Sequence, residues 1–160
     1  VIAVDDATRL CEAVARRTSH DGARGEGSIA SRSGSRRPAR STVAVVLASL
    51  EDLPFQDSVF DAAHSSSGAH TWRRPARVVE EAARVLKPGG TFVMTDNNPK
   101  SPVIQKLPPA LFTLMKSTEP HSNEYYTVDI EGLLAECGFE HVHTVDTDPR
   151  HRTVLGTLKK

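Results

Sequence analysis

Two β-patterned runs close the chain, Phe139–Val145 and Thr153–Leu158, with only residues 146–152 between them. A parallel return to one sheet needs a crossover of about a dozen residues or more, so these strands must pair antiparallel. Ahead of them, strand and helix patterns alternate. Val1–Val4 is a short apolar run ending in Asp5-Asp6, Thr42–Leu47 is apolar and β-branched, and Ser58–Ser65 and Thr91–Thr95 give two more strands. Apolar residues fall at helical spacing in Thr8–Arg17 (Leu10, Ala13, Val14) and in Arg74–Leu86 (Val78, Ala82, Val85, Leu86). Such alternation implies parallel strands joined by right-handed crossovers. The expectation is one α/β domain, a mostly parallel sheet closed by an antiparallel hairpin.

Turn residues set the boundaries. Lys87-Pro88-Gly89-Gly90 should end the Arg74–Leu86 helix, because proline cannot continue it and glycine permits a sharp reversal. A further helix over Asp129–Cys137 should stop at Gly138 for the same reason. Residues 18–41 are Ser, Arg, Gly and Ala with almost no apolar residue beyond Ile29, too little to offset the entropy of ordering, and read as a disordered insertion. A second reading makes Arg32, Arg36, Arg37 and Arg40 an anion-binding arm, but no aromatic residues interleave to support it. Residues 99–126 carry Pro102, Pro108, Pro109 and Pro120 around Leu111-Phe112 and Leu114-Met115, and read as a cap or lid with one short helix.

Lys plus Arg and Asp plus Glu balance at 20 each, which gives no global case for nucleic acid or an anionic membrane as partner. The 160 residues suit one domain. Cys11 and Cys137 stand far apart, which suits a reducing compartment and suggests neither a disulfide framework nor a metal site. No apolar run approaches the ~20 residues of a membrane span. The chain opens on a strand pattern, so it reads as cut upstream, with cytoplasm and plastid both open as compartments.

Leu53-Pro54-Phe55, Phe60-Asp61 and Arg84-Val85-Leu86-Lys87-Pro88-Gly89-Gly90, in that order and spacing, resemble the second half of the class I S-adenosylmethionine-dependent methyltransferase domain, Rossmann-like and of the type 11 kind. Beyond Thr95, Ser101-Pro102, Ser117-Thr118-Glu119-Pro120, Glu124-Tyr125 and Asp148-Pro149-Arg150-His151-Arg152 resemble a subgroup common in photosynthetic organisms. The resemblance covers all but the polar tract. It implies S-adenosylmethionine as cofactor and a small-molecule methyl acceptor, with no nucleic acid. Oligomeric state stays open.

The resemblance also assigns roles. Asp5 ends a strand where the family's acid accepts from the ribose hydroxyls, as a carboxylate can from two vicinal donors; the alternative is that it caps the next helix. Ser49 stands where the family usually has an aspartate at the adenine amino group, and Leu50 packs on the ring. Ser66, Ser67 and His70 line the pocket beneath the transferred methyl, with His70 placed to orient or deprotonate a substrate hydroxyl, or else simply to hold its loop. Asp61 braces backbone amides. Glu119, Tyr125, Arg150 and His151 are the substrate candidates, against the reading that Glu119 and Arg150 pair with each other or fix turns; a third reading has Arg150 and Arg152 bind an anionic substrate. The family's first strand and glycine-rich turn find no match. Gly22–Gly27 has no strand in front of it, so the chain reads as a partial domain, impaired by that loss. A non-catalytic Rossmann-like domain serving as a binding or interaction module is the alternative, favoured by the missing turn and by Ser49. A nicotinamide-dependent oxidoreductase ranks last, since it should lack the terminal hairpin.

Overall fold

A computed structural model describes residues 2–5, 44–117 and 121–160. The Thr8–Arg17 helix, the 18–41 tract and Glu119 lie outside the described residues. The chain divides into two compact units, residues 1–52 and 53–160.

In the first unit, β1 (Ile2–Asp5) and β2 (Ala44–Leu47) pair in parallel, with Asp5 opposite Leu47. Both strands therefore end on the same side, and Ser49 and Leu50 lie just past the end of β2. A tight turn follows, in which Asp52 N donates to Ser49 O at 3.2 Å and Glu51 N donates to Ser49 Oγ at 3.2 Å.

The second unit holds a sheet of order β3-β4-β6-β5, built from β3 (Phe60–Ser66), β4 (Leu86–Asn97), β5 (Phe139–Asp146) and β6 (His151–Leu158). β3 and β4 run parallel, joined through α1 (Pro75–Val85), while β4–β6 and β5–β6 are antiparallel. Both the parallel crossover and the closing hairpin appear as the sequence required. α1 buries Val78, Val79, Ala82 and Val85 and packs on β4 and on α5 (Ile130–Glu136), which buries Ile130 and Leu134. Each fully buried aliphatic side chain contributes about 1.5–3 kcal/mol. On β4, Phe92 and Met94 are buried on alternate positions, and Val154 joins them from β6.

Two expectations are corrected. Lys87–Gly90 is not a turn ahead of the strand but a bulge inside it. Leu86 is already extended and opposite Phe60, and the register resumes at Ala62 opposite Thr91. Gly89 takes φ +81° there, and a Cβ on Gly90 would come within 2.8 Å of Lys87 O, so this segment needs its glycines for both conformation and space. The cap carries three helices rather than one: α2 (Pro102–Gln105), α3 (Pro109–Ser117) and α4 (Ser122–Thr127). Pro102 and Pro109 open helices, where the missing N–H costs nothing, and Ser101 caps the first by accepting from Val103 N.

Arg84 fixes the geometry of the 53–57 loop within this unit. Its guanidinium donates to Leu53 O at 2.9 Å, Phe55 O at 2.8 Å and Asp57 Oδ1 at 2.7 Å, and it is held by Glu81. Glu81, buried on α1, also accepts from Leu53 N at 2.8 Å. The Arg84 bond, its largest influence, holds the Glu81 carboxyl below the ordinary range against the opposing effect of burial. Phe55 closes the loop edge-on against Phe60, 5.1 Å between centroids. Asp61, expected on backbone amides, meets Lys87 Nζ at 2.7 Å.

Candidate functional site

The carboxyl ends of the parallel strands β3 and β4 carry the polar residues, where ligands bind in open α/β sheets. Ser66 and Ser67 are exposed at the tip of β3. Ser67 takes φ +52° and its N–H donates to Thr95 O at 2.8 Å, which ends the strand and aims the chain into a 3₁₀ turn, Ala69–Thr71. That turn is pinned by Asp96, at 1% exposure on the last inward position of β4. Asp96 Oδ2 accepts from Ala69 N at 2.6 Å, and Oδ1 accepts from Asn97 N at 2.7 Å. His70 Nδ1 lies 3.1 Å from the same Oδ1. A carboxylate oxygen accepts, so Nδ1 is the ring nitrogen that donates to it, and Nε2 is the one left free of this contact. The arrangement is a histidine oriented by a buried acid.

A second polar layer backs it. Arg152, buried on β6, stands opposite Asp96 in the antiparallel register and donates to Glu131 Oε1 at 2.7 Å. Burial raises the affinity of the Glu131 carboxyl for its proton, but its own backbone amide, Arg152 and Thr144 outweigh that and hold it below the usual range. α4 packs on the 3₁₀ turn, and Tyr125 in it is fully buried with its hydroxyl donating to Asn97 O. Burial, foremost, pushes that phenol well above its ordinary pKa. Asn98 ties the cap's entry to the β5–β6 turn, its N–H donating to Arg150 O at 2.7 Å and Nδ2 to Asp146 Oδ1 at 2.8 Å.

Of the residues singled out from sequence, the second unit gathers six at one end of its sheet: Ser66, Ser67, His70, Tyr125, Arg150 and His151. Arg150 is exposed in the β5–β6 turn, and its N–H donates to Asp148 Oδ1. His151 Nδ1 sits 2.7 Å from Asp148 Oδ2. The Arg150 backbone bond, then the His151 ring, draws the Asp148 carboxyl down. Asp5, Ser49 and Leu50 belong to the first unit, at the ends of its parallel pair.

Sequence reasoning gave no site role to Asp96 or Glu131, and it weighed Arg152 only as an anion-binding partner of Arg150, whereas Arg152 is buried and donates to Glu131. For Asp96 a signal existed: Phe92, Met94 and Asp96 share one face of a strand, and an acid on the apolar face must be paired. Arg152 and Glu131 are far apart in sequence and no local pattern joins them.

Residues 1–94 match the family described as "Methyltransferase domain". An uncharacterized methyltransferase of Synechocystis is 35% identical over 92 residues, covering 56% of this chain and 42% of that protein. A chloroplastic uncharacterized methyltransferase of Arabidopsis thaliana is 40% identical over 58 residues, 36% of this chain and 16% of that one. The chain thus spans less than half the length of these relatives. Among solved structures, a SAM-dependent methyltransferase of Thermotoga maritima superposes with a TM-score of 0.62 at 22% identity, covering 99% of this chain and 72% of the other. One from Methanosarcina mazei gives 0.66 at 15% identity, with 99% and 82% covered. These likenesses show the Rossmann-like fold. The profile match spans more than half of the sequence, and by it the chain belongs to the methyltransferase-domain family, the Rossmann-like class I group whose cofactor is S-adenosylmethionine.

Proposed function

We propose that the protein transfers a methyl group to a small molecule bearing an acidic or protonated nucleophile, with His70 as the group that takes its proton. S-adenosylmethionine, when bound, supplies the activated methyl. The residues present fit that cofactor. Ser49 lies just past the end of β2, Ser66 ends β3 and Ser67 follows it, and at the β3 tip the buried indole N–H of Trp72 has no hydrogen-bond partner among the described residues. The cofactor candidates of the first unit are Asp5, Ser49 and Leu50, for the adenosyl portion, and those of the second unit are Ser66 and Ser67.

The single observation that carries the catalytic role is the His70–Asp96 pair. A ring fixed at Nδ1 by a buried carboxylate presents Nε2 to an acceptor hydroxyl, and the carboxylate balances the charge once Nε2 has taken a proton. Arg150 and His151, on the β5–β6 turn at the same end, and Glu119 would contact the acceptor, while Tyr125 shapes the wall through Asn97. Calorimetric titration with S-adenosylmethionine, after the family's first strand and glycine-rich turn are restored ahead of Val1, tests the first half: a saturable heat is expected, weakened by Asp5→Ala, and no binding at millimolar cofactor would end the assignment. Methyl transfer across a panel of hydroxylated and amino acceptors tests the second. His70→Gln should lower kcat by about 10²–10⁴ with cofactor affinity unchanged.

A further inference from the structure

We propose that the outer face of the cap docks on an anionic lipid surface. Three of the six large apolar residues most exposed among the described residues lie within this one segment: Val103 at 45%, Leu111 at 48% and Leu114 at 60%. The others, Leu47, Val59 and Val145, are scattered over separate parts of the chain. The cap does have an inner face. Ile104 is buried, and Phe112 stacks edge-on with Tyr126 at 5.5 Å. α3 therefore turns Phe112 inward and leaves Leu111 and Leu114, one helical turn apart, pointing to solvent. An outward leucine pair on a short helix is the reverse of what a water-facing cap requires.

The charge pattern selects the occupant. Between Asp96 and Glu119 the sequence holds Lys100, Lys106 and Lys116 and no acid, although the chain as a whole is balanced. Lys100 and Lys106 are exposed, and Lys116 reaches over the Phe112 ring with Nζ 4.9 Å from its centroid. A two-fold pairing of this face with a second copy would set lysines against lysines with no acid in the segment to relieve them. An anionic bilayer satisfies both halves of the pattern. Leucine and valine enter the headgroup boundary, and the stems of the exposed Lys100 and Lys106 lie along it with their ammonium groups among lipid phosphates. No helix among the described residues is long and apolar enough to cross a membrane, so the contact lies in the surface plane. The cap begins directly after β4 and its last helix packs on the turn that holds His70, so docking would bring that end of the unit to the lipid.

Co-sedimentation of the full chain with vesicles tests this independently of catalysis. One set is phosphatidylcholine alone, and the other contains phosphatidylglycerol as well. Binding is expected on the second set and not the first, and it should weaken as salt shortens the Debye length below about 8 Å. Leu111→Asp with Leu114→Asp should abolish it, and Lys100→Gln with Lys106→Gln should weaken it roughly 30-fold. All four positions are exposed, so circular dichroism and the melting curve should match the unaltered chain. Equal recovery on both vesicle sets overturns the proposal, as does full binding by the double-leucine variant. Vesicle-free dimers in sedimentation velocity that Leu111→Asp/Leu114→Asp abolishes would also overturn it, by assigning the face to a second copy.

Discussion

Replacing Asp96 separates orientation from stability, because alanine and asparagine break different bonds at one buried point. In Asp96→Ala the Ala69 N–H loses its partner inside a fully buried residue, a cost of about 1–3 kcal/mol. Asn97 N–H, half-buried, can turn to water and adds about 0.5–1 kcal/mol. Some of this is returned, since the carboxylate no longer has to be desolvated. The net is about 2–3 kcal/mol, and at about 2–4 °C per kcal/mol for a chain of this size the melting temperature should fall by about 4–12 °C. Asp96→Asn keeps the shape and one carbonyl oxygen for Ala69 but sets its amide NH2 against the Asn97 N–H that the second carboxylate oxygen accepted, so about 1–2 kcal/mol of stability should go. Its amide can instead donate to His70 Nδ1. The ring then moves its proton to Nε2, the nitrogen that should receive one. Melting by circular dichroism reads the first effect, and long-range proton–nitrogen NMR of the His70 ring reads the second. The expected pattern is a melt lowered less than in Asp96→Ala, with a reversed tautomer, in Asp96→Asn. An unchanged tautomer, or an Asp96→Asn melt as low as that of alanine, would show that the acid does not set the ring.

Glu81 offers a pH test. Its carboxyl is held down in the fold by Arg84, so the stability it adds is complete above the unfolded value of about 4.3 and is lost as pH falls through the lower folded value. Urea midpoints between neutral pH and about pH 3 should therefore drop less steeply in Glu81→Gln than in the parent, and parallel slopes would refute the assignment. Gly90→Ala should cost about 1–3 kcal/mol, since its Cβ meets Lys87 O at 2.8 Å and Asp61 O at 3.2 Å. Gly68→Ala, whose nearest atom is 3.7 Å away, should stay within about 0.5 kcal/mol by the same denaturation assay. The Cys137 thiol is pushed up by burial first and then by Glu80 and Glu136, so iodoacetamide should label it more slowly than free cysteine near neutrality, and urea should remove the difference; mass spectrometry of its peptide decides.

What the sequence made legible follows from the range of the interactions involved. The terminal hairpin was readable because seven intervening residues permit only one pairing sense, and α1 because its apolar stripe is a local pattern. The Lys87–Gly90 bulge was not, since only pairing with Phe60 and Ala62 across the sheet converts an apparent turn into strand. In the cap, prolines that look like breakers open helices, and the distinction lies in whether a preceding residue such as Ser101 supplies the cap.

The site divides the same way. Family resemblance reached His70 and the serines, yet what orients His70 is a hydrogen bond spanning 26 residues of sequence, made by an acid that shares the face of Phe92 and Met94 because β4 runs past Thr95 to Asn97. Hydrogen bonds show why such an acid is tolerated. Asp96 is buried, yet the Ala69 N–H donates to one of its oxygens and the Asn97 N–H to the other, with His70 Nδ1 beside the second. Arg152, opposite it in the register, is engaged with Glu131, whose side chain is 27% exposed. The partners of Asp96 thus come from the turn after β3 and from the end of β4, so one carboxylate ties the two strand ends together and sets the His70 ring in the same contact.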